Sequence, residues 1–216
     1  MTLPAQIFHL AEASNWPSIQ RHGLLSTSAL LDLAGVRGEK RAPFERRHRP
    51  AHTALPNGTH VRDQKPMSSQ ALARCLIGIA PADWYRLINS KVFFWLDADR
   101  LNRQRRACEP RLQIVLVVET QRLLARHAEK ASLSPFNTGN TRRSPAARGH
   151  STFVPYAIWS ESGWSSEAAG LHTRVRARSH RPVELTVDGA VPDIMNMVVR
   201  ICPLGLGESF CLGANV

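Results

Sequence analysis

The chain has 216 residues, 43% hydrophobic and 21% charged, a balance that suits one sizeable globular domain and excludes a disordered or collagen-like polymer. Its apolar runs, such as IVLVVE at 114–119, are too short to span a membrane, and MTLPAQIFHLAEASNW lacks a signal peptide's basic-then-apolar order, so a cytoplasmic protein is expected. Lys and Arg outnumber Asp and Glu by 28 to 17, net +11 and mostly arginine, which favours a polyanionic partner such as nucleic acid.

In chain order, AQIFHLAE reads as a strand ending near His9. Ser14 or Asn15 then caps a helix, WPSIQRH, with Pro17 in its first turn and Gly23 ending it. STSALLDLAG is a second helix capped by Ser26 or Thr27. Residues 36–58 are rich in Pro, Gly and Arg without apolar periodicity, and read as a basic insertion, ordered at most in part. Helices are expected at 67–78, 80–90 and 98–108, and strands at KVFFWLD (91–97) and LQIVLVVET (112–120). TQRLLARHAEKA is a short helix, and residues 132–151 are a loop dense in Gly, Asn, Pro and Arg. The tail alternates as strands at 152–159, 172–179, 182–189 and 195–202. The expectation is a single α+β domain over 1–216, helices mainly in the first half and strands in the second.

Several chemistries are missing their motifs. There is no GxGxxG, P-loop, GxSxG or HExxH, and the four cysteines are scattered without metal-ligand spacing, so no metal is expected. What stands out is polar residues set against their strands. In PVELTVDG, Val183, Leu185 and Val187 alternate toward one face, while Glu184 projects from the other. An isolated glutamate there is ordinarily on a wet face. His9 ends the first strand, Arg62 follows PNGTHV, and VFFW at 92–95 loads one strand with aromatics. Taken singly, His9 is ordinarily a satisfied core histidine, and the aromatics are packing.

Their order along the chain resembles the DarT-like ADP-ribosyltransferases, in a bacterial branch of that family. NWPSIQRHGLLS is similar to the family's Asn-containing helix after a His-ending strand, VFFW to its aromatic strand, and VELTVDGAVPDI to its glutamate strand and Val-Pro turn. The anchors run from about residue 6 to 195, and the insertion at 36–58 has no counterpart in the pattern.

The resemblance implies an ADP-ribosyltransferase-type fold and an NAD-dependent transferase that modifies bases, single-stranded DNA favoured. It implies a toxin-like setting with an antitoxin partner. It places Glu184 as the catalytic carboxylate, with Arg62 meeting a phosphate or the acceptor. His9 and Asn15 would bind NAD, and Phe94 would stack on nicotinamide. The loop FNTGNTRRS (136–144) would close over the site or contact the acceptor. Such a carboxylate steadies the oxocarbenium-like centre formed when the nicotinamide–ribose bond breaks. Two alternatives stay open: an inactive module of the same fold that binds nucleic acid or a nucleotide, and an RNA 2′-phosphotransferase-like enzyme.

Overall fold

The computed structural model describes residues 2–65, 67, 69–142 and 145–213. Ser68 of the expected third helix and Arg143 and Ser144 of the expected loop lie outside the described residues. In chain order the elements are β1 (Gln6–Glu12), α1 (Trp16–His22), β2 (Leu24–Leu25), α2 (Thr27–Leu33), α3 (Ala42–Glu45), β3 (Thr53–Ala54) and β4 (His60–Val61). There follow α4 (Ser69–Cys75), α5 (Pro81–Asn89), β5 (Lys91–Trp95), α6 (Ala98–Ala107), β6 (Gln113–Glu119) and α7 (Thr120–His127). The chain continues through β7 (Ala131–Ser134), β8 (Val154–Pro155), α8 (Tyr156–Ser162), α9 (Ser165–Leu171), β9 (Glu184–Asp188), β10 (Ala190–Val191) and β11 (Val198–Leu204).

The main sheet runs β11-β6-β1-β5-β9-β7-β8 with antiparallel ladders, as expected of an α+β domain. β1 pairs with β6 along its whole length, from Gln6↔Glu119 to Glu12↔Gln113. With β5 it shares the single pair Phe8↔Trp95. The sheet therefore forks at this pair, β11-β6-β1 on one side and β5-β9-β7-β8 on the other.

Alternation sorts the side chains onto two faces. Ile7, Phe94, Leu116 and Leu185 enter the main core, which Ile19 of α1, Leu123 of α7 and Trp159 of α8 complete. On the opposite face Phe8, Leu10, Trp95, Val115 and Val117 pack on Leu101 of α6 and Phe210. Phe93, from the same face, packs with Trp84 and Tyr85 of α5, Leu72 of α4 and Phe153.

Two stretches that stood far apart in the sequence meet. Leu24 and Leu25 pair with Val191 and Ala190, so HGLLS and DGAVP form one small ladder. Gly23 closes α1 with φ 72°, and a Cβ there would lie 2.3 Å from the Val191 carbonyl oxygen. Only glycine fits such a turn at such an approach.

Three segments differ from expectation. Ala131–Ser134 is a strand where the end of a helix and the start of a loop are expected; it reads as polar because of its two serines, yet Ser132 and Ser134 are buried, 7% and 0% exposed. Residues 156–162 are helical, and in 152–159 only Val154–Pro155 is strand. The apolar run there reads as a strand, whereas Phe153, Tyr156 and Trp159 recur every third residue and Trp159 packs edge-on against Trp164 from a helix. Residues 172–179 form no strand. They lie exposed beside α9, where Arg176 is tied to buried Glu167.

The basic segment 36–58 is packed onto the domain. Val36 and Leu55 join Leu31 and Val61 in a small core. Arg49 is buried, its Nε donating to the Arg62 carbonyl at 3.0 Å and its Nη1 to Asn89 Oδ1 at 2.9 Å and to the Phe44 carbonyl. One guanidinium thus supplies the cohesion that apolar periodicity does not.

Candidate active site

Glu184 opens β9, in register with Trp95 of β5 and Ser134 of β7. Leu185 and Val187 enter the main core, as the alternation requires. The opposite face is not wet: Glu184 is 3% exposed and Thr186 is 0%. A carboxylate so placed needs hydrogen-bond donors. Thr138 supplies them, its amide N–H 3.2 and 3.3 Å from the two oxygens and its hydroxyl 2.8 Å from Oε2. Burial pushes the Glu184 carboxyl up to about 7, against the pull of the Thr138 bonds and of the Arg148 and Arg100 charges. It therefore changes charge close to neutrality.

Arg148 stands behind Thr138 and was not singled out in the sequence. It is 1% exposed, and its Nη1 and Nη2 donate to the carbonyls of Thr138 and Asn140 at 3.0 and 3.2 Å. Its guanidinium carbon lies 5.0 Å from the Phe136 ring centre and 5.7 Å from that of Trp84. Burial lowers its pKa, while Cys75 and Glu184 oppose that.

A second cluster sits at the C-terminal end of β1. The Arg62 Nε donates to Glu12 Oε1 at 2.8 Å, and its Nη2 to Gln113 Oε1. Glu12 is 3% exposed and also accepts from Arg111 at 3.2 Å and from Gln113 Nε2 at 2.5 Å. Burial pushes the Glu12 carboxyl up, but the Arg62 and Arg111 charges and the bonds from Arg62 and Gln113 hold it below the usual range. The backbone is fixed as well. Asn15 clamps His60, accepting its N–H at 2.7 Å and donating to its carbonyl at 2.8 Å, and Arg49 holds the Arg62 carbonyl.

His9 lies at the fork. Its Nδ1 donates to the Phe93 carbonyl at 2.8 Å, where the ladder between β1 and β5 has ended. Burial lowers its pKa to about 4, against the Phe93 bond and helped by the Arg62 charge. The imidazole is neutral at pH 7, and with Nδ1 carrying the proton, Nε2 is left as an acceptor.

Phe94 is 0% exposed and touches the site through His9, ring centres 5.7 Å apart and edge-on. Its ring belongs to the core, so it shapes the site by wedging His9. Phe93, partly exposed, and Trp95, buried, are the rings of this strand that share the face of Glu184.

The structure thus brings Asn15 and Arg62 to the C-terminal end of β1, keeps His9 at mid-strand where the fork opens, and sets Glu184 with Thr138 and Arg148 across the fork. The hydrogen bonds of Glu184 among the described residues reach neither His9 nor Arg62. Beside Asn15 lies a cavity of about 320 Å³ lined by Ser14, Ser18, Arg21, His22 and Thr59 among others, which does not extend to Glu184. Glu12, Thr138 and Arg148 are the residues that sequence reading missed. Glu12 is the one with a visible signal, an acidic residue in the apolar strand that also carries His9.

No curated protein matches the chain. Among solved structures it is similar to DarT from Thermus sp. 2.9 in complex with NAD+, at 15% identity over 93% of this chain and 83% of that one, with a TM-score of 0.41. The model of a family of unknown function, DUF7002, matches residues 5–198, and the chain belongs to that family.

Proposed function

We propose that the protein is an NAD-dependent mono-ADP-ribosyltransferase acting on a nucleic-acid base, with single-stranded DNA the favoured acceptor. The observation that carries this reading is Glu184: a carboxylate buried on a strand, steadied by Thr138 and poised to ionise near neutrality. A carboxylate in such a site strengthens its field at a developing oxocarbenium and can take the proton of an attacking amine or hydroxyl.

The other residues fit NAD as the ADP-ribose donor. Neutral His9 offers Nε2 to a ribose hydroxyl, and Arg62, a fifth exposed, offers its remaining donors to a phosphate. Asn15 serves the site by holding the strand that leads to Arg62, and Phe94 by holding His9. When bound, NAD supplies the electrophilic ribose carbon.

The exposed cations support a polyanionic acceptor. Arg174, Arg178 and Arg181 are exposed in the segment that enters β9, and Arg142 lies beyond Thr138. The segment is fastened beside that loop, His180 donating to the Pro135 carbonyl at 3.0 Å and Arg176 lying 5.7 Å from the Phe136 ring. Such residues hold a phosphate backbone without reading sequence.

One observation favours a second reading, a non-catalytic module that binds nucleic acid or a nucleotide: Thr138 covers Glu184, and the cavity beside Asn15 does not reach it. Nicotinamide release from NAD separates the two. The transferase releases nicotinamide when an oligonucleotide is added, and Glu184→Gln does not. Salt-sensitive oligonucleotide binding with no nicotinamide released means the module.

A further inference from the structure

Arg148 is an expensive residue to bury, and its bonds do not explain its charge. A guanidinium loses much of its hydration at 1% exposure, and burial at that level is usually offset by a carboxylate partner. Here it bonds the backbone carbonyls of Thr138, Asn140 and Ala146, the last at 3.2 Å, with the Cys75 thiol beside them, and none of these partners is a carboxylate. Its charge is therefore not spent in an ion pair, and it acts on Glu184 across Thr138.

The same bonds settle what kind of loop covers the carboxylate. The loop leaves β7 at Ser134, the register partner of Glu184, and Ser134 Oγ ties back to the Phe136 carbonyl at 2.7 Å. Arg148 then fixes the carbonyls at 138 and 140 between the rings of Phe136 and Trp84. A lid would be joined to its surroundings by few buried contacts. This stretch is stitched on both sides of Thr138, which suits a fixed support.

Thr138 treats the two oxygens unequally. Its hydroxyl and the shorter amide contact converge on Oε2, and Oε1 receives only the amide contact at 3.3 Å. A carboxylate offers about four lone-pair positions, so most of the free acceptor capacity is on Oε1.

We propose that Arg148 and Thr138 are positioning residues for Glu184: Arg148 fixes the backbone at 138–140, and Thr138 anchors Oε2 so that Oε1 is the oxygen that meets the substrate. This rests on the reading of Glu184 as the reacting carboxylate. The charged groups whose fields reach Glu184 are Arg148, behind the loop, and Arg100 on α6. The neighbouring strands present Trp95 and Ser134, which carry no charge.

The test is a carboxyl-carbon NMR titration of full-length protein labelled at glutamate, with the Glu184 signal identified by its loss in Glu184→Gln. Thr138→Val removes a hydrogen bond to the charged form, and raises the Glu184 midpoint by about one pH unit. Thr138→Ser leaves the midpoint where it is. Arg148→Met raises it further, and Arg148→Lys recovers part of the shift. Where Thr138→Val does not fold, Thr138→Ala carries the same expectation. In nicotinamide-release assays the pH profile of kcat moves with the midpoint, while KM for NAD is unchanged. A Glu184 midpoint that stays put in folded Thr138→Val or Thr138→Ala overturns the positioning role. A shifted midpoint in a protein that releases no nicotinamide keeps the positioning role and sinks the transferase reading instead.

Discussion

The Arg62 guanidinium and the Glu12 carboxylate meet at 2.8 Å, and Glu12 is all but inaccessible to solvent. The pair fixes a cation at the mouth of the fork, with Gln113 and Arg111 holding Glu12 from its other side. Glu12→Gln keeps the shape and removes the charge. We expect it to cost about 2 kcal/mol, less than a fully buried broken pair because Arg62 and Arg111 can hydrate. Urea unfolding measures this, and a loss below about 0.5 kcal/mol would mean that the pair contributes no more than a surface bridge.

Glu184 sets a pH dependence for the reaction. Its folded pKa is about 7, and the working form is the carboxylate, so transfer is full above that value and lost as pH falls through it. His9, at about 4, stays neutral throughout and adds no limb between pH 5 and 9. A pH profile of kcat with a single acid limb near 7 is expected, and a limb near 4.5 would mean that Glu184 is solvated in the working enzyme.

The same shift costs stability. Below the unfolded value of 4.5 the carboxyl is protonated in both states. Between there and about 7 the unfolded chain ionises first, so folding weakens as pH rises and the deficit persists above. Glu184→Gln removes that deficit. We expect the variant to be more stable than wild type by about 1–3 kcal/mol at pH 8, with the difference vanishing near pH 4. Thermal unfolding at the two pH values measures it. A variant less stable at pH 8 than at pH 4, relative to wild type, contradicts the burial argument.

Arg49 holds the basic segment by three acceptors, at Phe44, Arg62 and Asn89. Arg49→Leu removes the guanidinium donor from all three, Phe44 keeping the Asn89 amide, and should cost about 2 kcal/mol. Hydrogen exchange should quicken at the amides of residues 44–64 and remain slow in β6. Unchanged exchange there would show that the small core around Leu31 and Leu55 suffices.

If the exposed arginines track a phosphate backbone, binding to a single strand weakens with salt. Each phosphate contact removed lowers the slope of log K against log salt by about 0.7. Arg142→Ala with Arg178→Ala should therefore flatten the slope by about 1.4, read by fluorescence anisotropy between 50 and 200 mM salt. An unchanged slope places the polyanion elsewhere on the surface.

Much of the fold was legible because periodicity and caps act locally. Ser26 caps α2 by accepting from Ala29 N–H, as the sequence suggests, and β9 ends at Asp188 before Gly189 with its positive φ. Glu184 stood out because a charge interrupts an apolar strand. β7 did not, since Ser132 and Ser134 carry no apolar signal and are buried only by what packs on them. Thr138 and Arg148 were silent for a related reason. Thr138 donates to a carboxylate 46 residues away and Arg148 to backbone carbonyls, bonds that any loop threonine or arginine could make, and only the path of the chain decides which ones do. The insertion misled because Arg49 orders it through carbonyls rather than through a hydrophobic stripe.

The most direct measurement is mass spectrometry of single-stranded DNA, duplex DNA and RNA oligonucleotides incubated with NAD and either wild-type protein or Glu184→Gln. ADP-ribosyl transfer at Glu184 predicts the mass of one ADP-ribose on single-stranded DNA with wild type and none with the variant. An oligonucleotide mass that never changes, or that changes equally with Glu184→Gln, contradicts it.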